Sequence, residues 1–278
     1  MAYRGLKSNL LIDGIYTVPG EQTFSPLRSD EIKPEHFANL GVIASIFPVS
    51  VQGVSPARTE ALIPELKKNV GSFFAKYRPP VFPGAINETK VTLGEKIFQQ
   101  HCAGCHGQYE AFTAGKRQLP LVMYPNKLIP LAVIGTDPQR ILRITPDLQQ
   151  DLSATWISQM VEMSVHQGYM PPILAGLWAT GPYLHNGSVP TLWHLMHPAQ
   201  RPVKFYVGGH KLDFAKVGLL EEAGSDGVYR YPKNYRPWSQ PVLMDTEKPA
   251  QSRTGHERPF QALSEIEKDQ LLEYLKLL

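Results

Sequence analysis

The chain has 278 residues, 42% of them hydrophobic and 19% charged, which suits a globular protein of one large domain or two small ones. A net charge of +3 without any Lys/Arg run gives no footing for nucleic-acid binding, and no stretch approaches the roughly 18 uninterrupted apolar residues of a membrane span. Residues 1–20 contain Asp13 and lack an apolar core, so they do not read as a signal peptide.

The 25 prolines and 22 glycines predict long ordered loops between short elements, and there is no internal repeat. Residues 1–55 carry extended and turn signals (TVPGEQ, FSPLRSDE) and read as a wrapping segment. A helix is expected from Pro56 to Tyr77, with Val70, Phe73, Phe74 and Tyr77 at three- and four-residue spacing. Pro64 should interrupt it and Arg78-Pro79-Pro80 should end it. A Pro/Gly linker over 79–91 leads to a short helix, capped near Thr92, in which Leu93, Ile97, Phe98 and His101 run directly into Cys102. Residues 107–150 read as loop-rich, 145–166 as moderately helical and 168–250 as mostly irregular. Ser264-Glu265-Ile266-Glu267 has the form of a capping box. It opens a terminal amphipathic helix built on Ile266, Leu271, Leu272, Tyr274, Leu275 and Leu278. The fold class expected is mainly α, with a helical domain over 86–278 rich in irregular loops. Residues 1–85 precede it as an N-terminal wrapping segment and linker.

Both cysteines of the chain fall in HCAGCHG, residues 101–107. A structural zinc site needs four ligands, usually as two close pairs, and there is no second C-x-x-C. A thioredoxin-like pair wants a strand ahead of the motif, where this sequence has a helical pattern. A disulfide across three residues would be strained and would staple little chain. Covalent haem attachment, C-x-x-C-H, accounts for every position. Cys102 and Cys105, one helical turn apart, suit thioethers to the two vinyl groups on one porphyrin edge. His106 then offers its imidazole to the iron as proximal ligand, with its other ring nitrogen donating to a backbone carbonyl. One covalent haem c is the cofactor expected.

The flanks agree. GEKIFQQHCAGCHG resembles the N-terminal helix of c-type cytochromes, with Gly94 and Phe98 ahead of the motif. In that family the helix crosses a C-terminal helix ending in a pattern like LLEYLKLL, here 271–278, so the resemblance implies a cytochrome c-like helical domain. The segment GLWATGPYLHNGSVPTLWHLM (176–196) is similar to the C-terminal haem domain of the di-haem cytochrome c peroxidase superfamily, closest to its branch of rubber-cleaving di-haem oxygenases. Trp178 to Leu192 follow that branch's pattern, and IGTDPQR (134–140) and KYRPP (76–80) also look matched. The resemblance covers about residues 60–278. Relatives carry two haem motifs where this chain has one, so residues 1–85 can be read as the remnant of a second haem domain. Relatives also have a Lys-x-Arg-Pro stretch where this chain has Met170-Pro171-Pro172-Ile173. Some relatives carry calcium, of which no residue pattern here gives a sign.

A haem c is usually six-coordinate when its work is electron transfer and five-coordinate when it binds a substrate. His256, in RTGHERPF, matches a Gly-His-Glu of the oxygenase branch, and the resemblance implies that it is the distal ligand. Gly255 would let the backbone come close to the porphyrin. Met170, ahead of two prolines, is the rival. His185, in YLHNGS, reads better as a neighbour of the cofactor than as a ligand, and an open sixth position is a further alternative. Trp178, Tyr183 and Trp193 are expected to pack around a large flat cofactor, with Trp178 counted among the cofactor-binding residues.

The function expected is a haem c electron carrier whose partner is a redox protein or a second haem domain. The alternatives are a peroxidase- or oxygenase-type haem enzyme, or the electron-transfer half of one, and a haem-binding sensor. Thioether formation takes place outside the bacterial cytoplasm, which places the protein in the periplasm or secreted, with its leader outside this sequence.

Overall fold

The computed structural model describes residues 13–17, 26–31, 53–159 and 161–278. Most of the wrapping segment, including His36, lies outside them. Its two described pieces are pinned to the body by short antiparallel pairings. Tyr16–Thr17 pairs with Glu162–Met163. Leu27–Arg28 pairs with Leu121–Tyr124, which also pairs with Gln108–Tyr109.

The first long helix, Pro56–Lys76, begins where Ser55 accepts from the Arg58 amide with Pro56 in the first turn. Proline suits that position because its missing N–H would be unbonded there anyway. Pro64 does not interrupt the helix as expected. One proline removes one backbone hydrogen bond from a helix of 21 residues and leaves the turns on either side to carry it. The linker then passes to the helix Glu88–His101. Its cap is Asn87, not Thr92: Asn87 accepts from the Lys90 amide at 3.1 Å, while Thr92 Oγ1 donates back to the Glu88 carbonyl.

Val91, Gly94, Ile97 and Phe98 form the buried stripe of this helix. They face the terminal helix Glu265–Leu275, which carries the expected capping box at Ser264 and Glu267. Phe98 and Tyr274 are fully buried against each other, ring centroids 5.2 Å apart; burying a side chain of this size is worth about 2 kcal/mol. Gly94 sets the spacing, because a Cβ there would lie 2.9 Å from the Tyr274 Cβ. Glu273 reinforces the crossing by accepting from the Asn87 amide at 2.8 Å and pairing with Lys276 at 2.7 Å.

The expectation of a mainly α fold is corrected here. Of the described residues 37% are helical and 15% are in strands, the latter in five small sheets, so the fold is mixed α/β. Most of the difference falls in 168–250, expected to be irregular. Ile129–Pro130 pairs with Gly168–Tyr169, and Leu212–Asp213 with Gly218–Leu219. Glu222–Ala223, Val228–Arg230, Lys204–Val207 and Val242–Asp245 form a four-stranded sheet in that order, with Val228–Arg230 running parallel to Lys204–Val207. Strands of two to four residues are too short to show a period-two hydrophobic pattern. The expected helical stretch over 145–166 is likewise shorter: helix at Pro146–Ser153, a 3-10 turn at Trp156–Gln159, then strand at Glu162–Met163. Among the described residues no helix is long and apolar enough to cross a membrane.

Candidate functional site

The helix Glu88–His101 delivers the cysteine motif to the edge of the helix crossing. Its backbone breaks at Cys102, whose N–H still bonds the Phe98 carbonyl, and resumes as the single turn Ala103–His106. Cys105 and His106 both donate their amides to the Cys102 carbonyl at 3.0 Å. The turn ends at Gly107, φ 101°, where a Cβ would sit 2.6 Å from the Met123 carbonyl oxygen, so only glycine fits. Both cysteines are free thiols. Burial, with Cys105 adding to it, pushes the Cys102 thiol up to about 12. That is opposite to the depressed pKa of a thiol built for disulfide exchange.

His106 is oriented from behind. Its Nδ1 lies 2.9 Å from the Pro172 carbonyl, a contact that fixes ring orientation and turns Nε2 to the other side. The residues on either side of that carbonyl are held. Tyr124 Oη donates to the Pro171 carbonyl at 2.5 Å, and the Leu174 amide donates to Tyr109 Oη at 2.8 Å. The Met-Pro-Pro-Ile stretch that stands where relatives have an arginine thus supports His106. Met170 is fully buried in the hydrophobic core two residues ahead of that carbonyl.

His256 arrives from a different part of the chain. Its ring centroid is 5.9 Å from that of His106, with 57° between the planes. Its N–H donates to the Ile134 carbonyl at 2.7 Å, and Phe260 flanks the ring, centroids 5.5 Å apart. The backbone is left-handed at φ 56°, which costs a non-glycine residue on the order of 1–3 kcal/mol and persists only where the surroundings over-determine it. Burial first, then the neighbouring His106 and Arg201, push the His256 pKa down to about 4, so the imidazole is neutral at neutral pH with a nitrogen lone pair to offer. His256 Nδ1 is buried without a partner. Gly255 makes a close approach to the chain itself. At φ 99° a Cβ would come within 2.5 Å of the Thr136 Cα.

The loop carrying His256 is pegged by residues of the YLHNGS and IGTDP segments. Asn186 Nδ2 donates to the carbonyls of Ala250 (3.3 Å) and Ser252 (2.9 Å), and Ser188 Oγ donates to Ser252 at 2.9 Å. Asp137 accepts from the Ser252 amide at 3.2 Å. His185 sits one layer behind: its Nδ1 is 3.3 Å from Thr136 Oγ1 and its ring lies on Tyr169, centroids 4.6 Å apart. Burial pushes its pKa down. Trp178 is engaged elsewhere, donating from Nε1 to the Pro80 carbonyl at 2.9 Å and packing edge-on against Phe82 and Phe214. It holds the linker ahead of the motif helix.

Arg201, whose side chain is 1% exposed, and the supporting roles of Pro172, Tyr109 and Tyr124 have no signature in the sequence. A lone arginine before a proline carries no pattern that announces burial, and carbonyl partners leave no trace in residue type.

The spacing of the two rings fits a metal held between them. Two imidazoles bonded to one metal at about 2.0–2.1 Å hold their ring centroids roughly 6 Å apart, and 5.9 Å separates His106 from His256. The thiols of Cys102, one turn ahead of His106, and Cys105, next to it, complete the set. Among the described residues no three His, Cys, Asp or Glu side chains gather as ligands of a bare ion.

Residues 168–206 match a protein family described as RoxA-like, cytochrome c-like. That span contains Trp178, His185, Asn186, Ser188 and Arg201. The uncharacterized protein y4iM of Sinorhizobium fredii is 28% identical over 204 residues, covering 68% of this chain and 46% of that protein. The uncharacterized protein y4iJ of the same organism is 28% identical over 271 residues, covering 74% of this chain and 42% of that protein. The chain thus spans less than half the length of either curated relative. Its segment 168–206 is a cytochrome c-like region related to the RoxA family, of the kind associated with haem binding and redox function.

Proposed function

We propose that this chain is an electron-transfer protein with one haem c. Cys102 and Cys105 would anchor it, with His106 as proximal and His256 as distal ligand, in a unit spanning 86–278. The observation that carries the reading is the facing pair of imidazoles, their centroids 5.9 Å apart. His106 is braced by the Pro172 carbonyl, and His256 is buried and neutral. When bound, the haem supplies a one-electron ferric/ferrous couple. The chain's own residues would hold it: Cys102 and Cys105 by thioether bonds, His106 with its ring braced by the Pro172 carbonyl, and His256 with its backbone tied to the Ile134 carbonyl, which would limit rearrangement on each change of charge. Two imidazoles, in place of a methionine partner, favour the ferric state and a low potential. Met170 is the weaker candidate, because its segment is committed to the Nδ1 side of His106.

The partner in this reading is a redox protein or a second haem domain, and the likeness to the di-haem oxygenase branch supports either. Thioether formation, which takes place outside the bacterial cytoplasm, supports a periplasmic or secreted location in this reading. The test is an absorption spectrum of oxidised and dithionite-reduced protein, matured in a host with a haem-ligation system, with a pyridine haemochrome assay. One thioether-linked haem per chain, low-spin and unchanged by cyanide or carbon monoxide, is the expected result. A high-spin ferric haem that binds cyanide would replace the carrier with a peroxidase- or oxygenase-type enzyme. A colourless chain would remove the haem altogether.

A further inference from the structure

A buried arginine with mostly backbone partners needs a reason. Arg201 Nε donates to the His194 carbonyl at 3.2 Å and Nη2 to the Leu195 carbonyl at 2.8 Å, both in or beside the short helix Leu192–Met196. On its other side Nη1 donates to the carbonyls of Arg253 (2.6 Å) and Gly255 (3.0 Å). Its one acidic neighbour is Glu257, at 3.4 Å and partly exposed. One side chain thus ties a helix to two residues of the loop just ahead of His256, Gly255 next to it and Arg253 three positions before.

We infer that Arg201 is the positioning residue for His256: a buried cation that locks the loop 253–257 in the strained form that aims His256 at His106, and whose charge acts on the site between them. The inference deepens the reading of His256 as an iron ligand and rests on it. Three observations support it. His256 has a left-handed backbone at φ 56°, a strained form that persists only where several contacts hold it, of which its hydrogen bond to Ile134 is one. Gly255 is pressed onto Thr136, so the loop has no slack to adopt another path without releasing the Arg201 contacts. The planar guanidinium, with five donors in a fixed fork, can serve four carbonyls on two elements at once, whereas a lysine ammonium has three donors at a point.

Burying a cation with a single partly exposed counter-charge is costly, and burial lowers the Arg201 pKa to about 10, still well above neutral pH. The charge therefore stays. A fixed positive charge beside an axial ligand disfavours the more positive, ferric state, offsetting part of the low potential that two imidazoles impose. Arg201 thus has two separable effects: geometry, which any loss of the fork impairs, and charge, which a lysine retains.

The test uses the haem-loaded full chain, as wild type, Arg201→Lys and Arg201→Gln. The wild type is read first. If its ferric haem is high-spin and binds cyanide freely, the ligand role of His256 fails, and the inference falls with it whatever the variants do. With a low-spin wild type, both variants should keep their haem, gain a high-spin fraction and bind cyanide roughly 10-fold more tightly, the scale on which supporting residues of metal sites act. Arg201→Gln alone should also lower the midpoint potential. Wild-type spin state, cyanide affinity and potential in both variants would overturn the inference. Hydrogen exchange on the wild type covers the case in which neither variant folds. The amides of 253–257 should be protected like those of the helix Glu265–Leu275, and exchange as fast as an exposed loop would overturn the clamp.

Discussion

Gly94 lies against the backbone of Gln270 so closely that a Cβ on Gly94 would stand 2.7 Å from the Gln270 carbonyl carbon. The two helices that meet there bracket the cysteine motif, one ending at it and the other packing Tyr274 onto Phe98. Backbone cannot yield as the end of a side chain can, so Gly94→Ala must push the helices apart. Overpacking of this kind costs about 1–3 kcal/mol, which corresponds to roughly 2–4 °C of Tm per kcal/mol in a chain of this size. Thermal denaturation of the haem-loaded variant should show that loss with the spin state unchanged. An unaltered Tm would mean that the crossing is looser than it stands here.

His256 and Met170 are separated by substitution. His256→Ala should convert a low-spin ferric spectrum to high-spin and allow cyanide to bind, and added imidazole should restore the low-spin form. Met170→Leu, a volume-conserving change costing less than about 1.5 kcal/mol, should leave the spectrum as it is. The reverse pattern would hand the sixth position to Met170.

Some of this site was legible in the sequence and some was not, for physical reasons. That Cys102, Cys105 and His106 share one helical turn could be read because sequence order preserves such local spacing. The capping box at Ser264 was legible on the same ground. Side-chain period misled at Ile266, expected in the core but 70% exposed: the first turn of that helix projects past the crossing, and burial starts at Leu271. The sheets escaped notice because their strands are two to four residues long and are specified by partners far along the chain. Arg201 was hidden for a related reason. Its carbonyl acceptors at Arg253 and Gly255 stand 52 and 54 positions away, and any residue type supplies a carbonyl. The Trp178 bond to the Pro80 carbonyl was equally hidden, since an indole N–H in a partly buried position is satisfied by the nearest acceptor and any residue type supplies a carbonyl.

Asn186 offers a test of the loop that carries His256. Its amide donates to two carbonyls of that loop and its Oδ1 accepts from the Ser188 amide at 3.2 Å. Asn186→Ala leaves those groups without their partner and should cost about 1–3 kcal/mol. Asn186→Asp keeps the shape but replaces a donor by an anionic acceptor facing carbonyl oxygens, so at neutral pH it should be at least as damaging. Paired Tm measurements check the order. An aspartate variant as stable as the wild type would show that shape, and not donation, is what the position supplies.

Glu221 predicts how stability depends on pH. Both of its carboxyl oxygens are buried. Burial pushes its pKa up to about 8, offset in part by the Tyr206 backbone amide. In the unfolded chain this carboxyl ionises near its ordinary value of 4.5, while in the folded chain it holds its proton to about 8. Between those values the folded state binds more protons than the unfolded one, so this group's contribution to stability falls as pH rises across the window and levels off above it. Glu221→Gln removes the ionisation and keeps the shape. The variant should therefore match the wild type near pH 4.5 and melt several degrees higher at pH 9, with a flatter Tm profile between. A constant Tm difference from pH 4.5 to 9 would show that Glu221 ionises alike in both states, and that its carboxyl reaches water in the folded protein.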